Sequence, residues 1–150
     1  MQHTLLIIHI LSAAAWIGGS FMFGFAGPRM AKAGGPAAGA WLGVALDAST
    51  KYYMPAAILS LLSGAFLVET NDAWDWSNAF VWIGVLIVVA TMVIGFVVNK
   101  PAITAAQNAA AAGDFEAAAA GGKKAAAGGQ AILLLLIAAE ILMVTKFGAG

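Results

Sequence analysis

The sequence predicts an all-α protein: a four-helix transmembrane bundle with a short interfacial helix between helices 1 and 2 and an Ala-rich helical extension between helices 3 and 4. Three observations predict it. Of 150 residues, 62% are hydrophobic and 9% are charged, where a soluble domain carries about 25% charge. Four apolar runs are long enough to cross a bilayer, since about 20 residues at about 1.5 Å each match a hydrocarbon core of about 30 Å. Turn-forming and charged clusters separate those runs. The whole chain reads as one integral membrane domain, residues 1–150.

Predicted helix 1 covers residues 4–25 and ends at Gly27, Pro28 and Arg29, a helix breaker followed by a charge. No Lys or Arg precedes Arg29 and the apolar run continues through Phe21, Phe23 and Phe25. It is therefore read as a retained membrane helix rather than a secretion signal, which has a basic start and a short apolar centre. Lys32, Gly34, Gly35 and Pro36 make a turn. Residues 36–46 are apolar but too short to span, which suits a surface-lying helix, and 47–51 return the chain to water. Tyr52 and Tyr53 read as an interfacial anchor, and Pro55 suits a first helical turn.

Predicted helix 2 covers 54–68, with Ser60, Ser63 and Gly64 forming a small-residue stripe. An acidic loop with Glu69, Asp72, Asp75, Trp74 and Trp76 follows, and reads as a membrane-interface belt. Predicted helix 3 covers 79–98 and stops at Asn99, Lys100 and Pro101. Residues 102–129 are alanine-rich and broken by glycines, with Asp114 placed to cap a helix toward Glu116. They hold too little bulky apolar content for a core of their own, so they read as helical extensions, with a flexible linker as the alternative. Predicted helix 4 covers 130–147 and carries Glu140 inside its apolar run.

Orientation follows from basic residues. Arg29, Lys32, Lys51, Lys100, Lys123 and Lys124 lie in the two loops on one side, against Lys146 on the other. The positive-inside rule then puts both basic loops in the cytoplasm and both termini outside an inner (cytoplasmic) membrane. A formal charge of zero and the lack of a nucleic-acid motif give no sign of a nucleic-acid partner. The partners expected are the lipid bilayer and either a second copy or a larger membrane complex.

The chemistry concentrates at residues 9–19, HILSAAAWIGG. Ionisable groups at membrane depth are rare because desolvation is expensive, so something must satisfy His9. On a helix His9 shares a face with Ser12, Ala13 and Trp16, while Gly18 and Gly19 permit close approach of a backbone or a flat ligand. With the orientation above, His9 lies about 8 Å below the outer end of helix 1 and Glu140 about 9 Å from the same surface. Two readings follow. A His9–Glu140 hydrogen bond makes both groups less costly in lipid. Alternatively His9 ligates a haem iron or another metal, with Glu140 as metal partner or proton acceptor; proton relay by His9 is a further role. Cysteine is absent, so thiolate sites, iron–sulfur clusters and covalent haem attachment through this chain are excluded. Met143, one turn beyond Glu140, is a candidate second axial ligand. His3 lies about 240° around the helix from His9, so the two do not readily share an ion. No catalytic grouping with characteristic spacing is present, and no enzyme activity is assigned.

The motif of His9, Trp16, Gly18 and Gly19 resembles the first-helix signature of small membrane proteins related to copper-resistance protein D, to the HemJ-type protoporphyrinogen oxidases and to an uncharacterised group of four-helix membrane proteins. The last fits best, through the Ala-rich basic loop and the ending MVTK at 143–146. The resemblance implies a bundle binding b-type haem through His9, in electron transfer or haem handling. Copper handling through His3, His9, Glu140 and the acidic loop is a weaker implication, because copper-resistance proteins carry further His and Met residues. The lysine that the HemJ-type enzymes use in a later helix has here only Lys100 and Lys146 as counterparts, both at predicted helix ends. A non-catalytic accessory subunit of a respiratory or photosynthetic complex is the reading from a different class, motivated by small-residue faces and few polar groups.

Overall fold

Without water to satisfy backbone groups, an apolar chain in lipid must bond them internally, which favours long uninterrupted helices. A computed structural model of the chain describes residues 2–71 and 73–146 and shows this economy carried further than the sequence suggests. The helices are α1 (Gln2–Ala33), α2 (Gly35–Ala48), α3 (Met54–Glu69), α4 (Ala79–Val93), α5 (Lys100–Ala111) and α6 (Phe115–Thr145). They stack into four columns, each long and apolar enough to cross a membrane: Gln2–Ala33, Gly35–Glu69, Ala79–Ala111 and Phe115–Thr145. At about 1.5 Å per residue the columns are about 46–53 Å long, well beyond a hydrocarbon core.

Several expected boundaries move for one reason: the breakers at them are absorbed. The first helix does not end at residue 25 but runs through Pro28 to Ala33. Arg29 assists, donating to the Phe25 carbonyl at 2.8 Å while its guanidinium lies 3.6 Å over the Phe25 ring. The chain turns instead at Gly34 and Gly35, whose φ angles of 66° and 48° suit glycine. Residues 36–46 do not form a separate surface helix, and 47–51 do not leave the helical path. A π-helical turn, Ser49–Tyr53, joins α2 directly to α3. Predicted helix 3 likewise does not stop at Lys100: a second π turn, Ile94–Asn99, leads into α5. Each π turn ends two residues before a proline, Pro55 or Pro101. A proline inside a helix removes an N–H and crowds the carbonyl four residues back, and a locally widened turn relieves that clash.

The alanine-rich stretch is helical, as expected of an extension, and the flexible-linker alternative is not what the structure shows. The tip between α5 and α6 closes with a Schellman motif: Asp114 N–H bonds the Ala109 carbonyl (2.9 Å) and Gly113 N–H that of Ala110 (3.1 Å), with Gly113 at φ 81°. The Asp114 side chain accepts from Ala117 N–H at 3.0 Å, the cap expected at this position. Consequently α6 begins at Phe115, not at residue 130. Asp114→Ala is expected to lower stability by about 1 kcal/mol, measurable as a lowered unfolding midpoint in detergent.

Packing gives an up-down bundle with two halves. In one, α1, α3, α4 and α6 are neighbours in that order; in the other, α1 and α6 continue beside α2 and α5. Trp16, Ala56, Ala57 and Leu136 form the core where the halves meet. The first half holds the termini. Gln2 donates to the Thr70 carbonyl, and Lys146 lies 4.7 Å over the Trp74 ring. Both ends of the described chain therefore meet the acidic tryptophan loop at one face, as four up-down columns require. Asp72 of that loop and Phe147 of predicted helix 4 lie outside the described residues.

The loop is pinned by its own polar atoms. The Trp76 indole donates to Glu69 at 2.5 Å, and the Asp75 carboxylate accepts from the Ser77 hydroxyl (2.5 Å) and N–H (2.7 Å). Those Ser77 bonds favour the charged carboxylate and lower the Asp75 pKa. A depressed native pKa supplies order that is present above the ordinary aspartate value of about 3.9 and lost as pH falls through the native value. The Ser77 amide resonance should accordingly titrate with a midpoint below that of an ordinary aspartate, and Asp75→Asn should abolish the titration.

Candidate functional site

Helix α1 places His9 on the face turned to α3, and the polar groups that meet it come from one turn of that helix. His9 Nδ1 lies 2.9 Å from the Ser60 carbonyl oxygen and 3.2 Å from Ser63 Oγ. A carbonyl only accepts, so the proton sits on Nδ1. In the neutral form the lone pair is then on Nε2, the tautomer that an outer carbonyl enforces on metal-ligating histidines. Gly64 makes the approach possible: a Cβ there would stand 3.0 Å from His9 Cε1 and 3.3 Å from Nδ1. Ser63 and Ser12 satisfy themselves on helix carbonyls, Ser63 on Leu59 (2.5 Å) and Ser12 on His9 (2.9 Å).

The His9–Glu140 hydrogen bond is replaced by this set. Imidazole reaches α3 rather than α6 because the backbone carbonyl of Ser60 is only one residue layer away, with Gly64 clearing the space. Yet α1 and α6 are neighbours, and His9 and Glu140 line the same cavity, of about 700 Å3, with Trp16, Gly18 and Met143. The two residues thus share a cavity wall without a hydrogen bond between them. Met143 reaches across to α4, where a Cβ on Gly84 would stand 2.5 Å from its terminal methyl. Trp16 is buried to 5% exposure and borders the cavity as part of the core. Glu140 is the one carboxylate that borders this cavity among the described residues.

Gly19 has a different neighbour. A Cβ on it would meet Tyr52 Cε1 at 2.7 Å and Tyr53 Cε1 at 3.0 Å, so its smallness admits the two tyrosines. Tyr52 and Tyr53 turn toward α1, Tyr52 donating to the Ala15 carbonyl at 2.7 Å and Tyr53 packing 5.7 Å from Phe23. His3 is exposed near the start of α1 and is not among the residues bordering the cavity. Among the described residues, no three His, Cys, Asp or Glu side chains gather as a metal-ligand group. The His3, His9 and Glu140 set named for copper is therefore not brought together.

Sequence reasoning missed Ser60 and Ser63 as partners of His9, taking them for packing residues. The signal was present: two hydroxyl residues three apart in an apolar helix that could face His9. Comparison with family models, curated proteins and solved structures finds no match for this chain.

Proposed function

We propose that this chain is a redox-associated integral membrane protein that binds b-type haem with His9 as an axial ligand, in electron transfer or haem handling. The observation that carries the reading is the Nδ1–Ser60 carbonyl contact. It fixes the ring and leaves Nε2 on a side chain that borders a cavity. A volume of about 700 Å3 falls within the about 300–1,000 Å3 of small-molecule sites. A bound haem iron would supply one-electron chemistry there.

The chain's own residues supply the setting. Trp16, Val85 and Leu136 wall the cavity with apolar surface and limit water. Glu140 places a titratable carboxyl at the same wall, suited to accept or release a proton as charge in the cavity changes. Met143 offers a thioether, the second ligand type that haem iron takes alongside histidine. The basic half is assigned to the cytoplasm of a bacterial-type inner membrane by the positive-inside rule, with the tryptophan loop and both termini outside.

Haem titrated into the purified protein in mild detergent should give a sharpened Soret band saturating near one haem per chain, with haem extractable intact into pyridine as expected of non-covalent b-type binding. Spectra matching free haem in detergent at every ratio would contradict the reading.

A further inference from the structure

A second cavity, of about 770 Å3, lies in the basic half between α1, α2, α5 and α6. Its walls are apolar over most of their extent, and the helix faces that meet there carry mainly alanine and glycine. A Cβ placed on Gly24 of α1 or Gly129 of α6, both bordering the cavity, would meet nothing within 4 Å. Small residues thus leave width that no side chain fills. Packed interiors hold few voids larger than a water molecule, so an apolar space of this size calls for an apolar occupant.

The cavity opens sideways between α1 and α6. Gly24, Pro28 and Ala31 of α1 border it and are exposed, and so do Ala119, Lys123 and Ala126 of α6. Each set keeps a spacing of four and then three residues, so each forms one stripe along its helix, and the two stripes are the lips of the opening. Both lips carry a lysine at the same end. Trp16 and Leu136 share the core. Along antiparallel α1 and α6, Lys32 stands sixteen residues from the first and Lys123 thirteen from the second, about 24 Å and 20 Å away. Lys32 follows Pro28 by one turn on the same side of α1. The ion pair found among the described residues is Lys51–Asp47, and the carboxylates of this half, Asp47, Asp114 and Glu116, do not border the cavity. Lys100 borders it but shares a stripe of α5 with Gln107, which a Cβ on Gly43 of α2 would meet at 3.4 Å, so it belongs to the opposite edge.

We propose that this cavity takes one acyl chain of an anionic phospholipid from the leaflet on the basic side, through the opening between α1 and α6, with the phosphate held by Lys32 and Lys123 and the second chain left in the bilayer. Uncharged walls suit a hydrocarbon chain, and a sideways opening suits a molecule that stays partly in the membrane. The chain of one leaflet occupies half of a core of about 30 Å, or about 15 Å. From the lysines that length passes Trp41, whose indole nitrogen would stand 3.5 Å from a Cβ on Gly27, and stops short of Trp16. A zwitterionic head group gains less from the lysines, because each basic residue near a membrane surface favours an anionic lipid about fivefold. The proposal is independent of the haem reading, which concerns the other cavity.

The test is quenching of tryptophan emission by phosphatidylglycerol brominated in mid-chain, present as a minor fraction in phosphatidylcholine vesicles that hold the purified protein. Quenching should saturate, and brominated phosphatidylcholine should need a roughly fivefold or greater fraction to match it. Trp41→Phe should remove most of the saturable part. Lys32→Gln with Lys123→Gln should erase the preference for phosphatidylglycerol, and Lys100→Gln should keep it. Gly129→Leu, whose side chain enters the cavity, should abolish the saturable part, and a retained unfolding midpoint verifies that it folds. Saturable quenching that persists in both Trp41→Phe and Gly129→Leu would overturn the proposal and leave lipid on the outer surface alone. A preference lost in Lys100→Gln and kept in the double lysine variant would overturn the opening assigned. Saturation by a brominated fatty acid, with none by the phospholipid, would overturn the proposal in favour of a single-chain amphiphile.

Discussion

His9→Ala should lower haem affinity by more than about a hundredfold, beyond the 10–100-fold loss typical of an outer partner of a ligand. Two controls separate ligation from folding. His3→Ala, at an exposed position on the same helix, should bind haem as the wild type does. Ser63→Ala removes the longer of the two contacts to Nδ1 and leaves the Ser60 carbonyl in place, so it should cost much less than His9→Ala. The stability cost of His9→Ala is a separate quantity. It removes one hydrogen bond from α3 and opens space beside Gly64, and about 1–3 kcal/mol is expected. A variant that loses haem while its unfolding midpoint shifts by only that much identifies ligation as the main effect.

Gly128→Ala is the second large effect expected, and it tests the fold rather than the site. Asn99 Oδ1 rests close to where a Cβ on Gly128 would stand, so an added methyl overlaps that atom. Seven residues earlier, Gly121 meets Ala106 and the Ala102 carbonyl in the same way, with a hypothetical Cβ 2.8 Å and 3.0 Å from them. The two glycines form a seam that lets α6 lie close to α5. Overpacking there should cost about 1–3 kcal/mol, against which alanine's better helix propensity returns about 1 kcal/mol. Gly128→Ala is therefore destabilising in the wild type. In an Asn99→Ala background the overlap disappears, and the same substitution should be neutral or mildly stabilising. The sign change, read from unfolding midpoints of the four proteins, reports the coupling between the two positions.

Much of the fold was legible because membrane insertion imposes few solutions. Apolar run length gave four columns, and an even number of columns puts both ends of the described chain at the tryptophan loop, where Gln2 meets Thr70 and Lys146 meets Trp74. What escaped was continuity. Pro28, Pro55 and Pro101 each read as a boundary, yet each lies inside a helical column because neighbouring residues, or a π turn, take up the clash. No sequence period announces a π turn, which is one residue of slack within an otherwise ordinary helix. Glycines in 113–129 likewise suggested breakage, whereas Gly113 ends one helix and Gly121 and Gly128 seat another against its neighbour. Their spacing of seven was the available clue.

At the site, a lone ionisable residue in an apolar run was informative, since His9 lies against a cavity that also meets Glu140, Met143 and Trp16. The identity of its hydrogen-bond partner was not. A backbone carbonyl leaves no mark in sequence, and choosing Ser60 over Glu140 depends on which helix lies nearer the ring. Gly19 was ambiguous for the same reason. A glycine signals close approach but not what approaches, and here it is Tyr52 and Tyr53.

The most direct test of the central claim is imidazole rescue in His9→Gly, followed by oxidised and reduced absorption spectra of the haem-loaded protein in mild detergent. The account predicts that the variant alone lacks the wild-type Soret and reduced bands and that added imidazole restores both, because the free ring replaces Nε2 in the same cavity. Wild-type spectra in His9→Gly without imidazole, or spectra that imidazole leaves unchanged, would contradict His9 as an axial ligand.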